Sequence, residues 1–347
     1  FEVIVAIIES HSEVIVNDKE KLKSLINSIY RYAMEIEEDI DEEWLTPKSL
    51  SLSEEEFIPE EKLDEALSLI DRIILGCSSK LILPILSQIV MELLNHKNES
   101  WKYKYIAYIS VGKIATYVKK IKDIEQIIPI ILADITNDNP KIRYGCLFCI
   151  SEFSSGLKDE FTEIYAEKVV PSICSLVMKD NVLRCKLQAY DSLESFISES
   201  SEPILGRYTQ SILDALFLNL LKSNKECPQS LQETILDCLG ELLAKNKTSF
   251  QQYSEKTFNI LAEYLGNALK NNDYSNINLF GLLIEILTKV GEDCPELLKK
   301  GTKDIAETLI NFQNNIKNFK GEISQFFSAS WERILPYVKE CNKDLII

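Results

Sequence analysis

Apolar residues along this chain recur with the spacing of an α-helix, and the clearest unit runs from residue 124 to 156. Pro129 opens a short apolar helix (Ile130, Ile131, Leu132, Ile135), and Asn137, Asp138, Asn139 and Pro140 form a turn. A second helix follows, with Ile142, Cys146, Cys149, Ile150 and Phe153 on one face. Two such helices cannot close a core alone, so neighbours of the same kind are expected. Taking Ile150 as an anchor, equivalent apolar positions are Val111, Leu193, Leu239 and Ile286, so that successive anchors lie 39, 43, 46 and 47 residues apart. That is the period of HEAT-type helical pairs. Pro84, Pro129 and Pro171, 45 and 42 residues apart, are expected near the starts of three successive first helices.

The same pattern assigns helical pairs at about 81–95 with 101–119, 124–137 with 140–156, and 161–178 with 182–199. Further pairs fall at 204–223 with 229–246, 251–271 with 276–291 and 294–316 with 320–340. Upstream, residues 1–16 read as the second helix of a truncated pair. Residues 18–38 form a helix with Leu22, Leu25, Ile26, Ile29 and Ala33 on one face, and Asp18 is its expected N-cap. The pattern then stops and resumes at Lys62 with Leu63, Ala66, Leu67, Ile70, Ile73 and Ile74, which makes the gap an insertion inside one pair. The expected fold is all-α, an α-solenoid superhelix of about seven HEAT-type pairs in one domain over 1–347, with a loop inserted at about 39–60.

Charge changes the picture at that insertion. Residues 35–61 hold twelve acidic side chains against Lys48 alone, a local charge of −11 out of −16 for the chain. The insert is therefore the acidic element, and the rest of the chain is close to balanced. Composition otherwise sets bounds: 46% hydrophobic and 27% charged residues suit a globular chain, and only 11 Gly and 10 Pro argue against strands joined by tight turns. The nine cysteines lie mostly among apolar neighbours and read as reduced, buried thiols. No run of about 18 apolar residues is present for a membrane span. The apolar opening 1–8 is flanked by Glu2 and Glu9 and reads as helix instead of signal peptide. A start at Phe1 in mid-helix is expected of a piece of a longer solenoid.

Several stretches together resemble one family. Asp41, Glu42, Glu43 and Trp44 head the acidic insert, followed by Lys80 to Pro84, then Trp101 to Lys104, then Asn139 to Tyr144. In that order they are similar to the importin-β (karyopherin-β) superfamily, and specifically to its importin beta-three branch, over essentially the whole chain. The resemblance implies a nuclear import receptor that shuttles between cytoplasm and nucleus, binds basic cargo such as ribosomal proteins or histones on an acidic concave surface, and releases it to Ran-GTP. It places this sequence in the central region of a longer receptor, with the main Ran contacts N-terminal to it. It also implies that Asp39, Asp41, Glu42, Glu43, Trp44, Glu54, Glu55 and Glu56 form a contact region for cargo or Ran. The plainer reading of the same charge is a solvated linker.

Carboxylates on the second helices are further candidates. Glu152, Glu194 and Glu241 follow the anchors Ile150, Leu193 and Leu239, with Asp191 and Asp237 close by, and stacked pairs set them in a rough column. The family's cargo pocket implies Asp71 as a first acidic position, but the positions that follow fall on the uncharged Thr116, Gly156 and Ser195. Asp138 with Arg143 resembles the Asp and Arg that stabilise turns in HEAT repeats. Phe-Gly nucleoporins are a further partner that grooves between first helices allow.

Other chemistry is not visible. Cys146 and Cys149 share a helix and its apolar face, with no second pair or His to complete a zinc set. His11 and His96 are the only histidines and stand apart from any nucleophile; no Gly-rich phosphate loop exists, so no enzyme and no cofactor are expected. Net charge −16 disfavours direct nucleic-acid binding. The alternative to a receptor is a HEAT scaffold for a multi-protein complex such as a phosphatase.

Overall fold

The structure, a computed structural model, describes residues 1–11, 18–46, 60–96, 100–222, 228–270, 277–315 and 322–341. Among these residues there is helix and turn and no strand. The chain divides into two compact units, Phe1–Ser200 and Ser201–Ile347.

The first unit begins with α1 (Glu2–Ser10), which buries Val5 and Ile8. Next come α2 (Lys19–Ala33), a one-turn helix α3 (Glu42–Leu45) and α4 (Glu61–Cys77). Asp18 caps α2 by accepting the Lys21 amide at 3.1 Å. Helices α2 and α4 pack on each other directly. Arg72 on α4 ties back to α1 through Glu9 at 2.8 Å and Glu2 at 2.7 Å. Three pairs follow: α5 (Ser79–Leu94) with α6 (Lys102–Ile114), α7 (Ile128–Asp134) with α8 (Pro140–Leu157), and α9 (Asp159–Lys179) with α10 (Leu183–Ser198).

The second helices α6, α8 and α10 stack tightly on one another. At Gly112 a Cβ would stand 2.5 Å from the Phe148 ring, so only glycine admits that approach of α6 to α8. Side chains also reach across to neighbouring backbones. Cys149 donates to the Tyr108 carbonyl at 2.9 Å and Ser192 to the Leu147 carbonyl at 2.8 Å. Between turns, the Arg143 guanidinium donates to both Asp180 carboxylate oxygens, at 2.7 and 2.8 Å. Its expected turn partner Asp138 contributes a backbone carbonyl at 3.0 Å. Arg143 thus closes its own turn through the Asn137 and Asp138 carbonyls and also links it to the next turn, where Asp180 accepts the Val182 amide at 2.9 Å.

The second unit holds α11 (Glu202–Leu220), α12 (Gln229–Lys245), α13 (Lys247–Lys270), α14 (Ile277–Gly291), α15 (Pro295–Asn315) and α16 (Glu322–Cys341). They pair as α11/α12, α13/α14 and α15/α16, with α12, α14 and α16 stacked in turn. Buried Asn246 after α12 donates to Thr209 of α11 at 2.7 Å. Four pairs in the first unit and three here give the seven expected.

The anchors Val111, Ile150, Leu193, Leu239 and Ile286 are all buried. The prolines are placed differently from expectation. Pro129 does sit in the first turn of α7, but Pro84 and Pro171 lie inside α5 and α9. Both are exposed, so the carbonyl that loses its helical donor four residues back is reachable by water, and the helices extend N-terminally past them. Cys146 and Cys149 are fully buried, and burial pushes both thiols up, as packing residues require. Tyr105 and Tyr108 of α6 are core as well.

Candidate acidic interaction surface

The acidic insert is bound at both of its described ends to the heads of the second helices. Lys102, Lys141 and Arg184 each stand near the start of their helix, and each precedes its anchor (Val111, Ile150, Leu193) by nine residues. They therefore form a basic column in the repeat register. At the first rung, Lys102 pairs with Glu38 at 3.0 Å and also donates to the Ile36 carbonyl. Ser100 donates to the same carboxylate at 3.0 Å, and the Trp101 indole donates to the Glu38 carbonyl at 3.1 Å. The hydrogen bond from Lys102 is the main reason the Glu38 carboxyl is held below its ordinary value.

At the second and third rungs the insert buries Trp44. Asp41 caps α3 by accepting the Trp44 amide at 2.6 Å, which orients the indole inward. The ring meets Tyr144 edge-on at 5.7 Å, with the Lys141 ammonium 4.4 Å from its centre and the Arg184 guanidinium 5.5 Å away. Arg184 also donates to the Trp44 carbonyl at 2.8 Å. Lys141 is itself buried and ion-paired with Glu60, which accepts the Tyr105 hydroxyl at 2.6 Å. Burial is the main influence on Lys141 and lowers its pKa, with Glu60 working against that shift. The indole N–H of Trp44 finds no acceptor among the described residues.

A cavity of about 580 Å³ opens beside this cage. Glu35, Glu37, Asp39, Asp41, Glu43 and Glu61 line its acidic side. Of the expected contact residues, Asp39, Asp41, Glu42 and Glu43 are exposed. Trp44 is only 5% exposed and belongs to the core, because the cations beneath it hold its ring and carbonyl; it leaves the surface set. Glu54, Glu55 and Glu56 lie outside the described residues.

The second-helix carboxylates fall into separate groups. Glu152 on α8 and Asp191 on α10 are half-buried neighbours: Gln188 donates to Asp191 at 2.8 Å and Ser151 meets Ser195 at 2.9 Å. Burial raises both carboxyl pKa values; Lys113 offsets the shift at Glu152, and the Ser151 and Gln188 hydrogen bonds offset it at Asp191. Glu194 is half-buried on α10. Asp71 on α4 is exposed and accepts the Tyr117 hydroxyl. At Gly156 a Cβ would stand 3.1 Å from the Ala115 carbonyl, so packing explains the missing charge at that position. Asp237, exposed, and Glu241, half-buried, share α12 in the second unit. Among the described residues no cluster of His, Cys, Asp and Glu is arranged to hold a metal.

No protein-family model matches the chain. A curated relative does, at 24% identity over 313 residues: Importin subunit beta-3 of Saccharomyces cerevisiae. The chain resembles importin β-3. The match covers 89% of this chain and 27% of the length of importin β-3. The fold agrees. The crystal structure of Kap121p bound to RanGTP superposes with a TM-score of 0.79 at 20% identity, covering 97% of this chain and 31% of that one. Kap121p bound to Pho4p gives 0.77 at 20% identity over 98% of this chain. The HEAT solenoid read from the repeat period is thus the fold of known karyopherins.

Sequence reading missed Lys102, Lys141, Arg184, Glu38 and Glu60. The signal was present as a basic residue nine positions before three successive anchors.

Proposed function

We propose that this chain is part of a nuclear import receptor that binds basic cargo through the exposed carboxylates of its first unit and yields it to Ran-GTP. The observation that carries this reading is the joint match in sequence and fold to importin β-3 and to Kap121p, whose structures include complexes with RanGTP and Pho4p. Shuttling between cytoplasm and nucleus belongs to the same reading. So does binding of Phe-Gly nucleoporins.

Within that reading, the cavity beside Trp44 and the Glu152–Asp191 patch are the two acidic surfaces on offer. Clustered carboxylates speed the encounter with Lys- and Arg-rich segments and hold them by charge-assisted hydrogen bonds. Glu38 and Glu60 stand apart from this role, since Lys102 and Lys141 already neutralise them.

The test is capture of a lysine-rich histone or ribosomal-protein tail by the 347-residue chain at about 0.1 and 0.5 M salt, where screening separates charge-driven from apolar contact. Asp39→Asn/Glu42→Gln/Glu43→Gln and Glu152→Gln/Asp191→Asn are compared with the parent chain, each with and without GTP-loaded Ran. Salt-sensitive capture lost in the first variant assigns the insert, and loss in the second assigns the inner helices. Capture that ignores both salt and Ran would defeat the receptor reading and favour a scaffold.

A further inference from the structure

The first unit carries a second cavity, of about 480 Å³, on the side formed by α5 and the turns after α6. Leu83 and Val90 of α5, Val111 and Ile114 of α6, and Val118 and Ile124 of the following turns make an aliphatic lining. Its existence follows from a shortened element. Helix α7 has seven residues, against 16 in α5 and 21 in α9, and 3-10 turns at 115–117 and 121–123 precede it. The flank of α5 that a full first helix would cover stays open.

The rim has the opposite charge to the chain. Lys80, Lys119, Lys120 and Lys122 border the cavity with Asp123 as the one carboxylate, in a chain of net charge −16. All four lysines are exposed, and among the described residues none of them forms a salt bridge. Pro84 in the wall has no N–H, so the Lys80 carbonyl lacks its usual helical donor.

We propose that this cavity is a docking site for an acidic peptide segment that inserts bulky apolar side chains between flanking carboxylates. The aliphatic floor rewards apolar burial in proportion to area, and four uncommitted ammonium groups select carboxylates around it. A basic cargo tail is repelled by the same rim. A neutral apolar peptide fills the floor and leaves the rim unused. Nucleic acid finds one aromatic ring, Tyr117, in an otherwise aliphatic lining, where it needs successive stacking surfaces.

The experiment is fluorescence anisotropy of a labelled peptide alternating Glu with Leu and Phe, titrated with the 347-residue chain. Comparison peptides replace Glu by Gln, replace Glu by Lys, or keep Glu and replace every apolar residue by Ser. The acidic apolar peptide is expected to bind at least tenfold more tightly than each of the others. Lys119→Glu/Lys120→Glu/Lys122→Glu and, separately, Ser87→Trp, which fills the cavity without changing charge, are each expected to cost tenfold. Asp123→Lys is expected to strengthen binding, a gain that a folding defect cannot mimic. Equal binding of the Gln or Ser peptide, indifference to Ser87→Trp, or no binding of the acidic apolar peptide overturns the proposal.

Discussion

Two sets of cations in the first unit have opposite fates. Lys102, Lys141 and Arg184, at the heads of three successive second helices, are consumed by the acidic insert through Glu38, Glu60 and the Trp44 carbonyl. Lys80, Lys119, Lys120 and Lys122 border an open cavity and form no salt bridge among the described residues. The contrast shows that the charge available to a partner differs from the charge counted along the chain. The stretch 35–61, of net charge −11, spends part of it inside the molecule, while a chain of net charge −16 still presents a basic rim.

The comparison breaks most visibly at Trp44. Replacing it by Ala removes a buried indole and leaves its cations without their ring, at an expected cost of ~3–5 kcal/mol in denaturant unfolding. Next is Lys141→Met, which strands the buried Glu60 carboxylate and is expected to cost ~3 kcal/mol. The double variant Glu60→Gln/Lys141→Met should recover most of that loss, since it removes both buried charges together and keeps an acceptor for the Tyr105 hydroxyl. Recovery of less than half in the double-mutant cycle would mean that the cations matter through the indole more than through Glu60.

A pH experiment sharpens the picture on the second helices. Burial raises the Glu152 and Asp191 carboxyl pKa values in the folded chain. Between the ordinary carboxylate range and the raised values, the folded chain holds protons that the unfolded chain has lost. The contribution of these groups to stability is therefore greatest in acid and falls as pH rises through that window. Glu152→Gln/Asp191→Asn is expected to raise Tm by a few degrees near neutral pH and to leave it unchanged below the ordinary carboxylate range. The smallest effect belongs to the rim. Lys119→Glu/Lys122→Glu should shift stability by no more than ~0.5 kcal/mol, as for surface substitutions without partners, and a larger loss would show that the rim holds structure.

How much of this was legible in the sequence depends on the range of the interactions. Helix pairs and anchors were, because Ile142, Cys146, Ile150 and Phe153 speak to each other within one helix. The prolines misled by position, since Pro84 and Pro171 are tolerated on exposed helix faces that local pattern does not distinguish from helix starts. Trp44 was read as a surface residue because its acidic neighbours are local, whereas Arg184, which holds its carbonyl, lies 140 residues away. The aliphatic cavity was hidden for another reason: it comes from the seven residues of α7, and a short first helix reads in sequence as an ordinary repeat.

One last consequence concerns elasticity. Cys149 and Ser192 grip the backbones of the preceding second helices at Tyr108 and Leu147, and the Phe148 ring fills the notch at Gly112. Sliding α6, α8 and α10 past one another would break those hydrogen bonds and drive a ring into main chain. These three helices therefore behave as a stiff block, with little spring of their own. Bending within the first unit is therefore expected at joints other than these three helices.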